Sequence, residues 1–380
     1  MAAIGGIFMT DGKALESKAL MGMSRAMLAR GGKRREAFID REIGLFFGRG
    51  EDGERPFASS DEGDGSLLLC DGEVYDERES GGERARFFGE SDAELSLEAY
   101  RKYGGAMGEH ISGEFAIAAY DRQKKELLLL RDPMGARPLY YIKDRGRVAF
   151  ASEIKGLLGL LGSVEVDRGV LREHIFSPCG RYGGGDIYKD ILEVGRSGGC
   201  VCSRLTVAPF TYSGEALRRE SESRRTVFGG FACPDGEGMA RLLTEILFAF
   251  DYPQFDALMP SFIRDLSRAA EVSGAVSDGT LCSDIFYSAE RSDRLFCMSS
   301  FRCARVAPEK STAKERELKR MESVMKELLI ERDGEALAYI FGKDWEGDIR
   351  REKNTAKRIR VMGMMWQAVL WYESYCVTFT

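Results

Sequence analysis

Apolar residues form two kinds of run along this chain, and the changeover near residue 205 divides it. Before that point short apolar stretches alternate with turn residues; after it, helical spacing dominates. Residues 4–9 read as a short buried strand, and Leu15, Leu20, Met23 and Met27 recur at mostly helical spacing until Gly31-Gly32 stops the run. Ser66 to Cys70 reads as an apolar strand and Asp71-Gly72 as a turn pair. Ser91-Asp92-Ala93-Glu94 has the capping-box form that opens a helix running to Tyr103, closed by Gly104-Gly105. From Glu114 to Ser152, strand-like runs at 114–120, 126–131, 138–142 and 147–151 are separated by turn signals, which predicts an antiparallel meander. Ala116-Ile117-Ala118-Ala119 and Leu127-Leu128-Leu129-Leu130 are apolar on both faces, so each strand needs a cover on both sides and a layered sandwich follows.

In the second half the helical pattern is clearest at 239–250, 258–270, 314–331 and 348–376. Leu318, Met321, Met325 and Leu328 form one stripe, and Ile359, Met362, Trp366, Val369 and Leu370 another; both read as core faces. Gly183-Gly184-Gly185 and the acidic, glycine-rich stretch 50–65 read as loops. A chain of 380 residues that is 44% hydrophobic is long enough for two buried cores. The expected domains are 1–205 and 206–380.

Charge and cysteine usage then exclude several classes of function. With 55 basic against 61 acidic side chains, net −6, there is no general attraction for nucleic acid or an anionic membrane. The best local candidate, Arg30, Lys33, Arg34 and Arg35, suits the C-terminal end of the preceding helix better than a nucleic-acid patch. Nine scattered cysteines, odd in number and without a Cys-x-x-Cys pair, read as reduced thiols rather than a disulfide frame. Cys200 and Cys202 lack zinc-knuckle spacing, His110 and His174 are the only histidines, and no metal is expected. The start lacks the basic segment and long apolar run of a signal peptide, and Val361 to Val377 is interrupted by Gln367 and Glu373 and is shorter than the roughly 20 residues that span a bilayer. A cytoplasmic protein that contacts neither membrane nor nucleic acid is the expectation.

Five segments in order carry a resemblance: Ile4-Gly5-Gly6-Ile7-Phe8, Asp71-Gly72-Glu73-Val74-Tyr75, Ser91-Asp92-Ala93-Glu94, Ser112-Gly113-Glu114-Phe115-Ala116, and Arg131-Asp132-Pro133-Met134-Gly135-Ala136-Arg137-Pro138-Leu139-Tyr140-Tyr141 followed by Phe150-Ala151-Ser152-Glu153-Ile154-Lys155. Together they cover most of residues 1–200, and they resemble the class II glutaminase domain of glutamine-dependent asparagine synthetases. The resemblance implies an α+β fold, an αββα sandwich of the N-terminal-nucleophile type. In a working family member a cysteine exposed by loss of the initiator methionine attacks the glutamine amide, its own α-amine acting as base. An asparagine and a backbone N–H then stabilise the oxyanion.

The matching positions here are altered. Ala2 stands at the nucleophile position, where a methyl group cannot form an acyl intermediate, and Asp71 stands at the oxyanion asparagine. Neither Thr10 nor Cys70 would carry a free α-amine of its own. The resemblance assigns a vestigial glutamine site to Arg49, Gly72, Glu73 and Asp92, an arginine for the α-carboxylate and acids for the ammonium. A plainer reading has Asp92 supporting its helix N-terminus and Glu73 a turn.

Beyond residue 205, asparagine synthetases carry an ATP-pyrophosphatase domain with a glycine loop that cradles pyrophosphate. Ser273-Gly274-Ala275-Val276-Ser277-Asp278-Gly279-Thr280 approximates that loop with wrong spacing, making Ser273, Gly274, Ser277, Asp278 and Gly279 weak phosphate-binding candidates. A competing alignment places Asp251-Tyr252-Pro253, Asp256 and Pro260 beyond the loop, so that the nucleotide-binding strand has been deleted. About 175 residues remain after position 205, too few for a full synthetase domain, and a mostly helical, reduced remnant is expected. The leading expectation is a degenerate family member without glutaminase or ligase activity. It would need no cofactor and would bind a free amino acid, a protein partner or a second copy. The alternative is an amide-forming ligase using ATP and Mg²⁺ with a pseudo-glutaminase domain, as in relatives that make β-lactams.

Overall fold

A computed structural model describes residues 2–28, 30, 34–48, 56–59, 65–75, 79–80, 83–84, 91–133, 135, 137–144, 146–176, 187–213, 224–226, 236–250, 301–303, 311–332, 334–375 and 377–380. The helix expected at 258–270, the glycine run at 183–185 and the loop at 273–280 lie outside them. The chain divides into two units that interleave in sequence: Met1–Gly162 with Asp190–Arg219, and Ser163–Lys189 with Glu220–Thr380.

The first unit is built on two six-stranded antiparallel sheets. Its strands in chain order are β1 (Ala3–Met9), β2 (Arg35–Asp40), β3 (Ile43–Gly48), β4 (Phe57–Ser59), β5 (Leu67–Tyr75), the short hairpin β6 (Glu79–Ser80) and β7 (Glu83–Arg84), β8 (Ser112–Asp121), β9 (Glu126–Arg131), β10 (Tyr140–Asp144) and β11 (Arg147–Ala151). After β12 (Val164–Val166), which belongs to the second unit, come β13 (Leu192–Glu193), β14 (Gly198–Cys202) and β15 (Val207–Thr211). One sheet has the order β13-β10-β11-β1-β3-β2 and the other β15-β14-β9-β8-β5-β4. Between them lies a core to which Ile4, Phe8, Leu45, Phe47 and Phe150 contribute from the first sheet and Leu67, Leu69, Ala118, Tyr120, Leu127 and Leu129 from the second.

The doubly apolar strands find their second cover in helices. Helix α1 (Ser17–Ala26) lies on the first sheet through Leu20 and Met23. Helix α2 (Asp92–Tyr103) covers the second sheet, where Leu68, Ile117, Ala119, Leu128 and Leu130 meet Ala93, Leu97 and Tyr100. The Ser91 hydroxyl accepts the Glu94 N–H at 3.3 Å, as the capping-box pattern requires. The layers are therefore α, β, β, α, an α+β architecture.

Three expectations for the first unit need correction. The single meander over 114–151 is two hairpins in different sheets, β8–β9 in one and β10–β11 in the other. β9 ends in one sheet at Arg131 and β10 begins in the other at Tyr140, because hairpin signals specify local pairing but not which sheet a hairpin joins. Asp71-Gly72 is not a turn: β5 continues through it, with Asp71 opposite Ala116 and Gly72 opposite Phe115. Gly72 has φ +133°, and a Cβ there would overlap the Glu114 carbonyl oxygen, so glycine serves a close strand approach rather than a reversal. Within the stretch read as loop, Phe57–Ser59 forms a short strand paired with β5.

Among its described residues the second unit is mostly helical. The helix Thr355–Tyr375 packs against Ser311–Ile330, Gly236–Phe250 and α3 (Arg168–Phe176). Met321, Met325, Ile359, Met362, Trp366 and Val369 are buried, so both stripes face a core. The run 348–376 is interrupted: Trp345–Arg351 ends before a separate helix, because Asn354 accepts the Lys357 N–H at 3.1 Å and caps a new start. Val164–Val166 pairs in parallel with β18 (Val377–Phe379) after the parallel pair β16 (Arg224–Thr226) and β17 (Phe301–Cys303). Among the described residues no helix is long and apolar enough to cross a membrane.

Candidate functional site

The site expected from the sequence lies at the start of β1, a strand flanked by β11 and β3. The Ala2 N–H donates to Asp71 Oδ1 at 3.1 Å, and the Ala2 carbonyl accepts from Arg30 Nε at 2.9 Å. A terminal guanidinium nitrogen of Arg30 donates to Asp71 Oδ2 at 2.6 Å, with both side chains fully buried. Three elements thus close a ring: the entry to β1, the segment after α1, and β5 in the opposite sheet. Ser152, after β11, holds the same end of β1 in place by accepting the Ile4 N–H at 3.1 Å and donating to the Ile4 carbonyl at 3.2 Å.

The electrostatics follow from this geometry. Burial works against the Asp71 charge, but Arg30 and Arg137 outweigh it, and the carboxyl is held below its ordinary range. Asp71 is therefore an ionised acceptor, already committed to Arg30 and the Ala2 amide. It has no proton to offer a developing oxyanion.

The other assigned residues have distinct surroundings. Glu73 is exposed on β5, and Asp92, in the first turn of α2, accepts the Val74 N–H at 2.7 Å. Gly72 stands between Asp71 and Glu73 at the close strand approach already described. Arg49 lies outside the described residues; the last described residue before it, Gly48, is paired with Ala3. Ser273, Gly274, Ser277, Asp278 and Gly279 also lie outside them.

Neither substitute nucleophile is suitably placed. Thr10 follows the far end of β1, roughly 26 Å from Ala2 by strand rise. Cys70 points into the apolar layer under α2, where burial and then the Asp92 charge push its thiol pKa up and keep it protonated. Among the described residues no group of His, Cys, Asp and Glu has the arrangement of a metal site.

Arg30 is the residue whose role the sequence pattern misassigned. Grouped with Lys33, Arg34 and Arg35 it read as part of a basic helix end, yet it is buried against Asp71. Arg35 does meet the helix end, donating to the carbonyls of Met27 and Arg30. The available signal for Arg30 was compensatory: an acid at a position where the resembling family has a neutral amide calls for a cation nearby.

Residues 1–200 match the family model described as a glutamine amidotransferase domain. The chain belongs to that family. Among curated amidotransferase relatives, asparagine synthetase [glutamine-hydrolyzing] 2 of Bacillus subtilis is 33% identical over 146 residues, covering 36% of this chain and 19% of that protein. Asparagine synthetase [glutamine-hydrolyzing] 3 of the same organism is 33% identical over 149 residues, covering 38% and 24%. The chain therefore spans about a quarter or less of the length of these relatives. Among solved structures, glutamine phosphoribosylpyrophosphate amidotransferase from B. subtilis aligns at 12% identity and a TM-score of 0.41 over 83% of this chain and 70% of its own, a likeness too distant to carry an argument.

Proposed function

We propose that this chain is an amidotransferase-family protein whose hydrolytic centre has been dismantled, and that it acts by binding rather than by turnover. The carrying observation is the closed ring of Ala2, Arg30 and Asp71. Glutamine hydrolysis through an acyl-enzyme requires a nucleophile and a donor for the oxyanion. Ala2 supplies neither a thiol nor a hydroxyl. Asp71 places a negative charge where negative charge must develop, and Arg30, the cation bonded to it, is already engaged by that charge.

The ligand proposed for the retained scaffold is a free amino acid, with Glu73 and Asp92 as the acidic side of its site. The helical second unit is read as a reduced form of the asparagine synthetase ATP-pyrophosphatase domain, without ligase activity, and the output as regulatory, through a protein partner or a second copy. Thermal melting of the full chain with L-glutamine, L-glutamate, L-asparagine and L-aspartate tests the ligand. One of the four should raise the midpoint in a saturable way that Glu73→Ala abolishes. Unchanged midpoints at millimolar concentrations of all four would remove the amino-acid ligand from the proposal.

A further inference from the structure

Away from that site, Cys200 and Cys202 sit two residues apart on β14, so strand alternation directs both thiols to one face. That face is the core between the sheets, and the two sulfurs lie 3.7 Å apart. From the facing sheet the Tyr141 hydroxyl and the Lys143 ammonium lie close enough to favour the Cys200 thiolate. The neighbour of β14 on one side is β15, the last strand of its sheet, in which Ala208, Pro209 and Thr211 are exposed. The thiols thus lie one strand in from the sheet edge, in contact with each other and beside a phenol and a cation.

We propose that Cys200 and Cys202 form a reversible oxidation site, closing to an intrastrand disulfide with a small hydroperoxide as oxidant. The Cys200 thiolate attacks the peroxide: an S–O bond forms, the O–O bond breaks, and the departing oxygen takes a proton to leave as alcohol or water. Cys202 sulfur then attacks the resulting sulfenic acid, and the hydroxyl leaves as water with the Cys202 proton. The balance is two thiols and one hydroperoxide giving one disulfide, one alcohol or water, and one further water.

The geometry also makes the bond reversible. Residues two apart on a strand have Cα atoms roughly 6.7 Å apart, at the upper limit of disulfide spans. The bridge is strained, and a strained disulfide is reduced readily. Cys200 is the attacking sulfur: its thiol pKa is lowered, first by the hydrogen bond with Cys202 and then, against burial, by Tyr141, which does not act on Cys202. With both thiols buried, a small oxidant has the advantage over bulky disulfides.

The test uses the full chain treated with hydrogen peroxide, then denatured, alkylated, digested and weighed. The peptide holding both cysteines should lack two hydrogens, resist alkylation, and recover the dithiol mass after dithiothreitol, while Cys70 remains alkylatable. In Cys202→Ser, dimedone should trap Cys200 as its sulfenic acid; in Cys200→Ser, trapping at Cys202 should fall about tenfold. If those variants fail to fold, the wild-type masses decide the matter. Recovery of both thiols in alkylatable form, or sulfinic acid without disulfide, would overturn the proposal.

Discussion

Two buried carboxylates sit at opposite ends of β1, and each ties one sheet to the other. At the Met9 end is Glu42, in the turn between β2 and β3, whose carbonyl accepts the Met9 N–H at 2.7 Å. Its carboxylate accepts from the Tyr120 hydroxyl at 3.0 Å and pairs with Lys125 at 2.5 Å and Arg204 at 2.6 Å. At the Ala2 end is Asp71 with Arg30. Both acids are nearly or fully inaccessible; their partners are not alike. Lys125 and Arg204 are 45% and 51% exposed on turns, whereas the Arg30 side chain is 0% exposed. Glu42 thus has the setting of a structural clamp at the rim of a sandwich. Asp71 makes a sealed pair at the position where the resembling family carries out its chemistry, and the two should respond differently to perturbation.

The largest effect is expected at Asp71. Asp71→Ala leaves the Arg30 guanidinium buried without its counter-ion and should lower stability by about 3 to 5 kcal/mol, measured by urea unfolding. Replacing Arg30 and Asp71 together by Met and Leu should recover part of that loss, since the uncompensated charge disappears. Next comes Gly72→Ala, where a methyl group meets the Glu114 carbonyl at a backbone angle that L-residues rarely adopt; about 2 to 4 kcal/mol should be lost in the same assay.

Glu42→Gln should cost less, about 1 to 2 kcal/mol at neutral pH, because two of its partners are half-exposed and screened by water. Its pH dependence sharpens the contrast. Burial disfavours the charge, but hydrogen bonds from Lys125, Arg204 and Tyr120 outweigh it and lower the Glu42 pKa to about 2. A folded-state pKa below the unfolded value of about 4.3 means that the stabilisation is fully present above that value and is lost as pH falls toward 2. The urea midpoints of wild type and Glu42→Gln should therefore converge between pH 4.5 and 2, windows set by roughly those values. The smallest effect is at Ser91→Ala, which removes the cap of α2 and should cost about 1 kcal/mol.

The comparison also marks what local sequence can convey. Strand β1, the two helices that cover the sheets, the Ser91 cap and the apolar stripes of the second unit are written in spacing and capping residues, and they form where expected. The Arg30–Asp71 pair is not, because its members are 41 positions apart and meet only when the sheets stack. Gly72 was legible as a glycine with a special conformation but not as a strand residue, since the close approach of β8 is a tertiary fact. Assignment of the β8–β9 and β10–β11 hairpins to different sheets, and inclusion of 163–189 in the helical unit, likewise depend on contacts remote in sequence. At the site itself, the alanine at position 2 was plain in the sequence; that Asp71 is an occupied, ionised acceptor required the fold.

The central claim, a dismantled hydrolytic centre, is tested most directly by measuring glutamate release when the purified full chain is incubated with L-glutamine. No release above the protein-free rate is expected, and the same result for Asp71→Asn and Asp92→Asn. Saturable glutamate production by the wild type that either substitution abolishes would contradict it.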